Sequence, residues 1–207
     1  MTIQNIYKNL WLLLLAQVLA GCALTKDEIG LNYAIRGGRD KVAGAQDIKV
    51  EVKISDQRQA RDLVGRKING WGSEMAAIIS TNDVVELVRG AIGNELDLRG
   101  FARGDSVVVS GDLNKFYNRF KTGFFAGDSI AEIILNIQVK GKNDAIIFSK
   151  NIVAEGLEPN IQIAAGHNAK ASLEKALAKA MEELFRDADF IPSLFKASGQ
   201  TQSATRP

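Results

Sequence analysis

Few side chains in this sequence can do covalent chemistry, and they are scattered. Cys22 is the only cysteine and His167 the only histidine. A single thiol cannot form an internal disulfide, and neither residue has companions of the kind that make a Cys- or His-based metal site. His167 falls at the start of a helical pattern, where Asn168 or a water would satisfy it. Carboxylates are plentiful, and a pair such as Asp112 and Glu132 would be an acid–base candidate if the two met across neighbouring strands. Cross-strand pairing with lysines is the commoner use of such residues. Asp56-Gln57-Arg58 follows a strand pattern; its carboxylate and guanidinium could pair, bind a ligand or cap a turn. Arg36-Gly37-Gly38-Arg39 could touch phosphate, but reads first as a solvated loop. The glycines are never ordered as a phosphate loop, and no G-x-S-x-G elbow occurs. The expectation is of no catalytic residue, no metal and no cofactor.

The surroundings of Cys22 give it a different chemistry. Residues 1–21 have the parts of a secretory leader: a short polar start with Lys8, the apolar run Leu10 to Leu19, then Ala20 and Gly21. The run from Leu10 to Leu24 contains Gln17 and is shorter than the roughly 20 residues that span a bilayer. Leu19-Ala20-Gly21-Cys22 resembles the lipobox of bacterial lipoproteins at all four positions. That resemblance implies cleavage between Gly21 and Cys22, a diacylglyceryl group on the Cys22 thiol and acylation of the new amine, with palmitate among the chains. It would also account for a lone thiol in an oxidising compartment, where an unmodified one is a liability. Ala23 after the cysteine, rather than Asp, implies the outer membrane, with the domain facing the periplasm.

The 186 residues from Cys22 onward make one domain of ordinary size with tails. An apolar content of 46% with 24% charged residues suits a folded globule. Losing Lys8 with the leader leaves 25 basic against 24 acidic residues, so nothing argues for a nucleic-acid partner. The expected parts are a lipidated tether over 22–27, a domain over 28–196 and a disordered tail over 197–207.

Periodicity supplies the elements that must position any site. Alternation predicts strands over Glu28–Ile35 and Ile48–Ser55, and a hairpin of Gly65–Asn69 with Met75–Ser80 around Asn69-Gly70-Trp71-Gly72. Asp83 can cap a helix running to about Arg99, with Gly100 closing it and Phe101 folding back. Ser106–Lys121, Asp128–Lys140 and Ala145–Glu155 read as an antiparallel meander. In its middle strand Ala131, Ile133, Leu135, Ile137 and Val139 share a face, with Ile130 and Ile134 on the other. Asn168–Arg186 is the best amphipathic helix, followed by a docked turn of Phe190, Ile191, Leu194 and Phe195. The fold class expected is α+β: a mixed, mostly antiparallel sheet with two main helices on one face, in a single domain.

The order of short motifs along this chain is similar to that of the YajG-like family of envelope lipoproteins. It runs Asp56-x-Arg58 after a strand, a helix ending near Gly100-Phe101, Phe116-Tyr117 in the meander, Glu155-Gly156, then Asp189-Phe190-Ile191-x-x-Leu194-Phe195. The resemblance covers nearly the whole chain after Cys22 and implies a fold and an address without a mechanism. One further stretch stands out. Residues 116–127 hold five of the fourteen aromatics, with Arg119 and Lys121 among them. Either these are core aromatics alternating through a hairpin, or Phe124 and Phe125 protrude at the turn and touch a protein partner or the membrane surface. The functional expectation is a non-enzymatic outer-membrane lipoprotein, held by acyl chains on Cys22, that binds or scaffolds an envelope protein. The alternative is an accessory subunit of a lipid or glycan transport system. An apolar cavity beside Ile130 and Ile134 would favour transport; a packed sheet with an exposed apolar patch would favour partner binding.

Overall fold

The computed structural model describes residues 24–35, 40–141 and 144–200. Gly21 and Cys22, the Arg36–Arg39 loop and the tail from 201 lie outside the described residues. The fold is α+β: among the described residues, one mixed sheet carries three main helices on a single face, and they share one apolar core. Its strands are β1 (Asp27–Ile29), β2 (Lys49–Asp56), β3 (Gly65–Ile68), β4 (Glu74–Ser80), β5 (Ala102–Arg103), β6 (Val107–Lys121), β7 (Gly127–Lys140) and β8 (Ile146–Ile161). The helices are α1 (Val84–Leu98), α2 (Gly166–Arg186) and α3 (Phe190–Ser198).

The long ladders, β6 with β7 and β7 with β8, are antiparallel, as the meander pattern requires. β2 runs parallel to β6, however, and β1 parallel to β4. Alternation reveals which face a residue occupies and nothing about strand direction, so these pairings were not legible. β6 is the branch point. One edge pairs with β7 throughout, while the other meets β2 along Val107–Leu113 and β3 at Asn118. A bulge at Asn114 separates the two halves and shifts the inward-facing set from odd to even residues. Val107, Val109 and Leu113 are buried before it, Phe116 and Asn118 after it.

The predicted helix over 84–99 forms as α1, with the Asp83 carboxylate accepting from the Val85 and Glu86 N–H groups. Gly100 takes φ +94°, and the Phe101 N–H returns to the Leu96 carbonyl. The predicted strand over 28–35 is corrected: only Asp27–Ile29 joins the sheet. Beyond it the alternation persists, with Leu31 buried, but side chains replace the ladder. Asn82 brackets the Leu31 backbone and Glu174 accepts the Asn32 N–H. The third meander strand runs six residues past its predicted end, through Pro159. β8 is an edge strand, where a residue without an N–H is tolerated. Residues 197 and 198, expected in the tail, are the last of α3, which Gly199 closes at φ +80°.

α2 lies against β8 so closely that a Cβ on Gly156 would fall within the Ser172 carbonyl oxygen and the Ala176 nitrogen. Gly156→Ala should therefore cost about 2–3 kcal/mol through overpacking against backbone that cannot yield. Gly90→Ala, in a helix position with nothing within 4 Å, should instead stabilise by about 0.5–1 kcal/mol. Urea unfolding of the two variants checks both signs.

Candidate functional site

Two surfaces emerge once the strands are in register. The first is one end of the domain. β3 runs into the turn at 69–73, and β6, parallel to it, runs into the turn at 122–126. β8, antiparallel to β7, finishes at Ile161 opposite Gly127, so the 162–165 connection and the start of α2 lie there too. β1 runs parallel to β4, with Asp27 opposite Ile78, so the chain before Asp27 points the same way. These segments enclose a cleft of about 690 Å³ that includes Thr25, Asp27, Gly70, Phe124, Phe125 and Ile163.

Asp27 is the joint of this end. Its carboxylate accepts the Gly166 N–H at 2.7 Å, at the start of α2, and pairs at 2.7 Å with Lys67, whose side chain is 7% exposed. Phe124 and Phe125 are 95% and 88% exposed, their rings edge to face with centroids 4.7 Å apart. Gly123 and Gly127 make that turn tight, because a Cβ on either would strike the Ala126 or Lys121 carbonyl oxygen. The remaining aromatics of the stretch point elsewhere: Phe116 is in the core, and Phe120 packs against it. Phe116 and Phe120 thus follow the core reading, while Phe124 and Phe125 protrude at the turn.

Of the four contact residues expected from the sequence, Phe124, Phe125 and Lys121 come together. Arg119 does not; it lies on the outer face of the sheet, opposite Ile130 and 3.9 Å from Glu155. Sequence reasoning placed Trp71 in a turn and stopped there. Its side chain is 91% exposed, and its turn adjoins the phenylalanines: Gly72 faces Thr122. An indole inside a hairpin turn was the available signal.

The second surface is the sheet face turned away from the helices. Here Ile130 stands opposite Leu157 and Ile134 opposite Val153, with the Glu132–Glu155 row between them. Leu157 is 49% and Val153 50% exposed. The hypothetical Asp112–Glu132 acid pair is corrected by the register. Asp112 sits opposite Asn136 and accepts from Ser55, while Glu132 takes Lys115 at 2.5 Å.

Elsewhere, charge is spent on pairing. Arg58 is buried and holds Asp56 through two side-chain hydrogen bonds at 2.9 Å, which settles Asp56-x-Arg58 as an internal pair closing the end of β2. The hydrogen bond from Arg58 holds the Asp56 carboxyl below its ordinary value, and one from Lys150 does the same for Asp187. His167 is exposed on the first turn of α2. Among the described residues no group of three or more His, Cys, Asp or Glu could hold a metal ion.

A family model for uncharacterized lipoproteins matches residues 39–194. No curated protein matches. Among solved structures, a DUF330-family protein from Xanthomonas campestris superposes with a TM-score of 0.52 at 10% identity, covering 76% of this chain and 92% of that one. That likeness shows the fold alone. A presumed lipoprotein from Caulobacter crescentus CB15 is similar at a TM-score of 0.40 and 12% identity, over 70% of this chain and 90% of its own. A presumed neuraminyllactose-binding hemagglutinin homolog from Helicobacter pylori scores 0.41 at 11% identity, over 80% of this chain and 97% of its own.

The lowered carboxyls carry a pH signature. A carboxyl held below its ordinary value of 3.8 contributes stability that is complete above that value and is lost as pH falls through the lowered one. The unfolding midpoint should therefore drop on acidification below about pH 4, and the drop should shrink in Asp56→Asn and Asp187→Asn. An acid limb unaltered by both substitutions would count against the assignment.

Proposed function

We propose a function from one fixed premise: the chain belongs to the family of uncharacterized lipoproteins. On that premise it is a membrane-anchored envelope protein. Cys22 is its lipid-bearing residue, exposed by cleavage after Gly21 and carrying a thioether-linked diacylglyceryl group and an amide-linked chain such as palmitate. The domain faces the periplasm from the outer membrane, binds an envelope protein and catalyses nothing. The observation that carries partner binding is the outer face of β7 and β8. Two cross-strand apolar pairs, Ile130 with Leu157 and Ile134 with Val153, lie half in solvent on β7 and β8, the last two strands of the described sheet. Apolar side chains grouped on an open sheet face suit docking by another protein.

A transport subunit would need those isoleucines to line an apolar cavity, and they stand on a flat face instead. The cleft of about 760 Å³ beside α2 lies on another side of the fold and mixes apolar residues such as Leu157, Met181 and Phe185 with Glu95, Arg99, Lys175 and Arg186. The absence of catalysis is supported by how carboxylates are used. The Asp56 and Asp187 carboxyls, which lie below their ordinary range, are both held ionised by cations, the opposite of a poised general acid.

A photoreactive residue at Asn151, exposed beside the patch, should give one discrete protein adduct when the acylated protein is irradiated in its native envelope. Val153→Thr with Leu157→Thr, which add no charge beside Glu132 and Glu155, should abolish that adduct while lowering the unfolding midpoint only slightly. Adducts to lipid alone, or none, would sink the reading. For the address, Ala23→Asp should shift the protein to the inner membrane on density-gradient fractionation; an unchanged distribution would remove outer-membrane sorting from the proposal.

A further inference from the structure

We propose that the end of the domain formed by the turns at 69–73 and 122–126 is a bilayer-seating surface. Phe124, Phe125 and Trp71 enter the interface of the membrane that holds Cys22. The inference rests on the lipid anchor at Cys22 and goes beyond it, because an anchor alone leaves the domain free to tumble.

Chain direction supplies the first argument. β1 is parallel to β4, so the residues before Asp27 leave the domain toward the β3–β4 turn, the turn that carries Trp71. Only Ala23 to Lys26 separate Cys22 from Asp27. Fully extended, that step spans about 18 Å at most. Asp27 itself cannot pay out more chain without breaking its bonds to Lys67 and Gly166. Whatever else the domain does, Asp27 stays within that reach of the acyl chains, and the chain before it runs toward the turns at 69–73 and 122–126.

The chemistry of what is exposed there supplies the second. Phe124, Phe125 and Trp71 are the most exposed large apolar residues described, and Ile163 and Leu24 at the same end are also exposed. Tryptophan and phenylalanine are suited to the zone between headgroups and acyl chains, where an indole keeps its N–H wet and its ring dry. The tight glycine turn fixes the phenylalanine pair outward, so no ordering of a floppy loop is needed on contact. Lys121 is exposed at the base of the turn, where an ammonium can meet lipid phosphate. A protein occupant would have to fit between these rings and a membrane held less than a tether length away.

The test uses a built-in probe. The chain has two tryptophans, and Trp11 leaves with the leader, so the acylated mature protein carries Trp71 alone. It would be incorporated into phosphatidylethanolamine–phosphatidylglycerol vesicles, with and without bromine on the acyl chains. Seating predicts that Trp71 emission shifts to the blue relative to a leaderless, non-acylated chain of residues 23–207 in buffer and is quenched by the brominated lipid. In Phe124→Ser with Phe125→Ser, quenching should fall by about half or more, since two apolar side chains no longer enter the membrane. The unfolding midpoint should stay unchanged, because both rings are solvent-exposed in the fold. Vesicle-bound, acylated protein whose Trp71 emission is neither shifted nor quenched overturns the seating and leaves the anchor standing. A photoreactive residue at 124 that captures a protein instead of lipid in the native envelope overturns it as well. A mature chain without acyl groups by mass spectrometry overturns the anchor, and the seating with it.

Discussion

The structure depends on a backbone-to-backbone contact between a helix and a strand. At Gly156 the β8 strand meets α2 with no side chain between them, and Ser172 and Ala176 fill the helix side of the junction. Ala169, Leu173, Ala176, Leu177 and Ala180 are all buried along this stripe. Small residues let the 21-residue helix lie low across β7 and β8. The approach also brings Ser172 within 2.9 Å of Asn118 on β6 and 3.0 Å of Ser129 on β7. The Asn118 amide N–H groups reach both buried hydroxyls, Ser129 at 2.6 Å and Ser172 at 2.9 Å, and the two hydroxyls meet each other. A helix standing further off would remove Ser172 from this cluster. Close packing and the polar network are thus one arrangement.

β6 carries the same economy across the rest of the sheet. A strand of 15 residues is long enough to serve two neighbours on one edge, β2 along its first half and β3 at its second. The bulge at Asn114 falls where the neighbour changes, and it keeps Phe116 and Asn118 on the helix side after the shift. The gap between β2 and β3 is closed by the Asp56–Arg58 pair, with the Gln57 N–H still reaching the Leu113 carbonyl. Burying a guanidinium there is tolerable because its carboxylate travels with it, two residues away.

Patterns of period two and 3.6 made the helices, the meander and its buried face legible, because each depends on which face a residue presents. Direction, register and close approach depend on partners distant in the chain, and those were not. The Asp112–Glu132 hypothesis failed on register alone: the bulge and the β6–β7 pairing set Glu132 beside Lys115. Residues 28–35 alternated correctly, yet only Glu28 and Ile29 joined a strand, since Asn82 and Glu174 took the place of a neighbouring strand. The aromatic turn was visible as a composition anomaly, but its division into core and exposed members required the fold. Trp71 joined it only through the adjacency of two turns separated by some fifty residues of sequence.

Asp27 gives the anchor end its mechanical logic. α2 begins after Ala165, which offers no side-chain cap, so the free N–H groups of its first turn need an acceptor from elsewhere. Asp27 supplies one, placing a negative charge at the positive end of the helix dipole. The same carboxylate meets Lys67, an ammonium nearly removed from water that would be costly without a counter-charge. One residue at the start of the described domain therefore satisfies groups on β3 and on the principal helix. A pull along the segment leading back to Cys22 would be borne by this joint, and through it by α2 and the Gly156 contact, before any strand in the meander felt it. Four residues between Cys22 and Asp27 would hold this joint close to an anchor at Cys22 without fixing the domain's orientation, which a surface contact would have to supply.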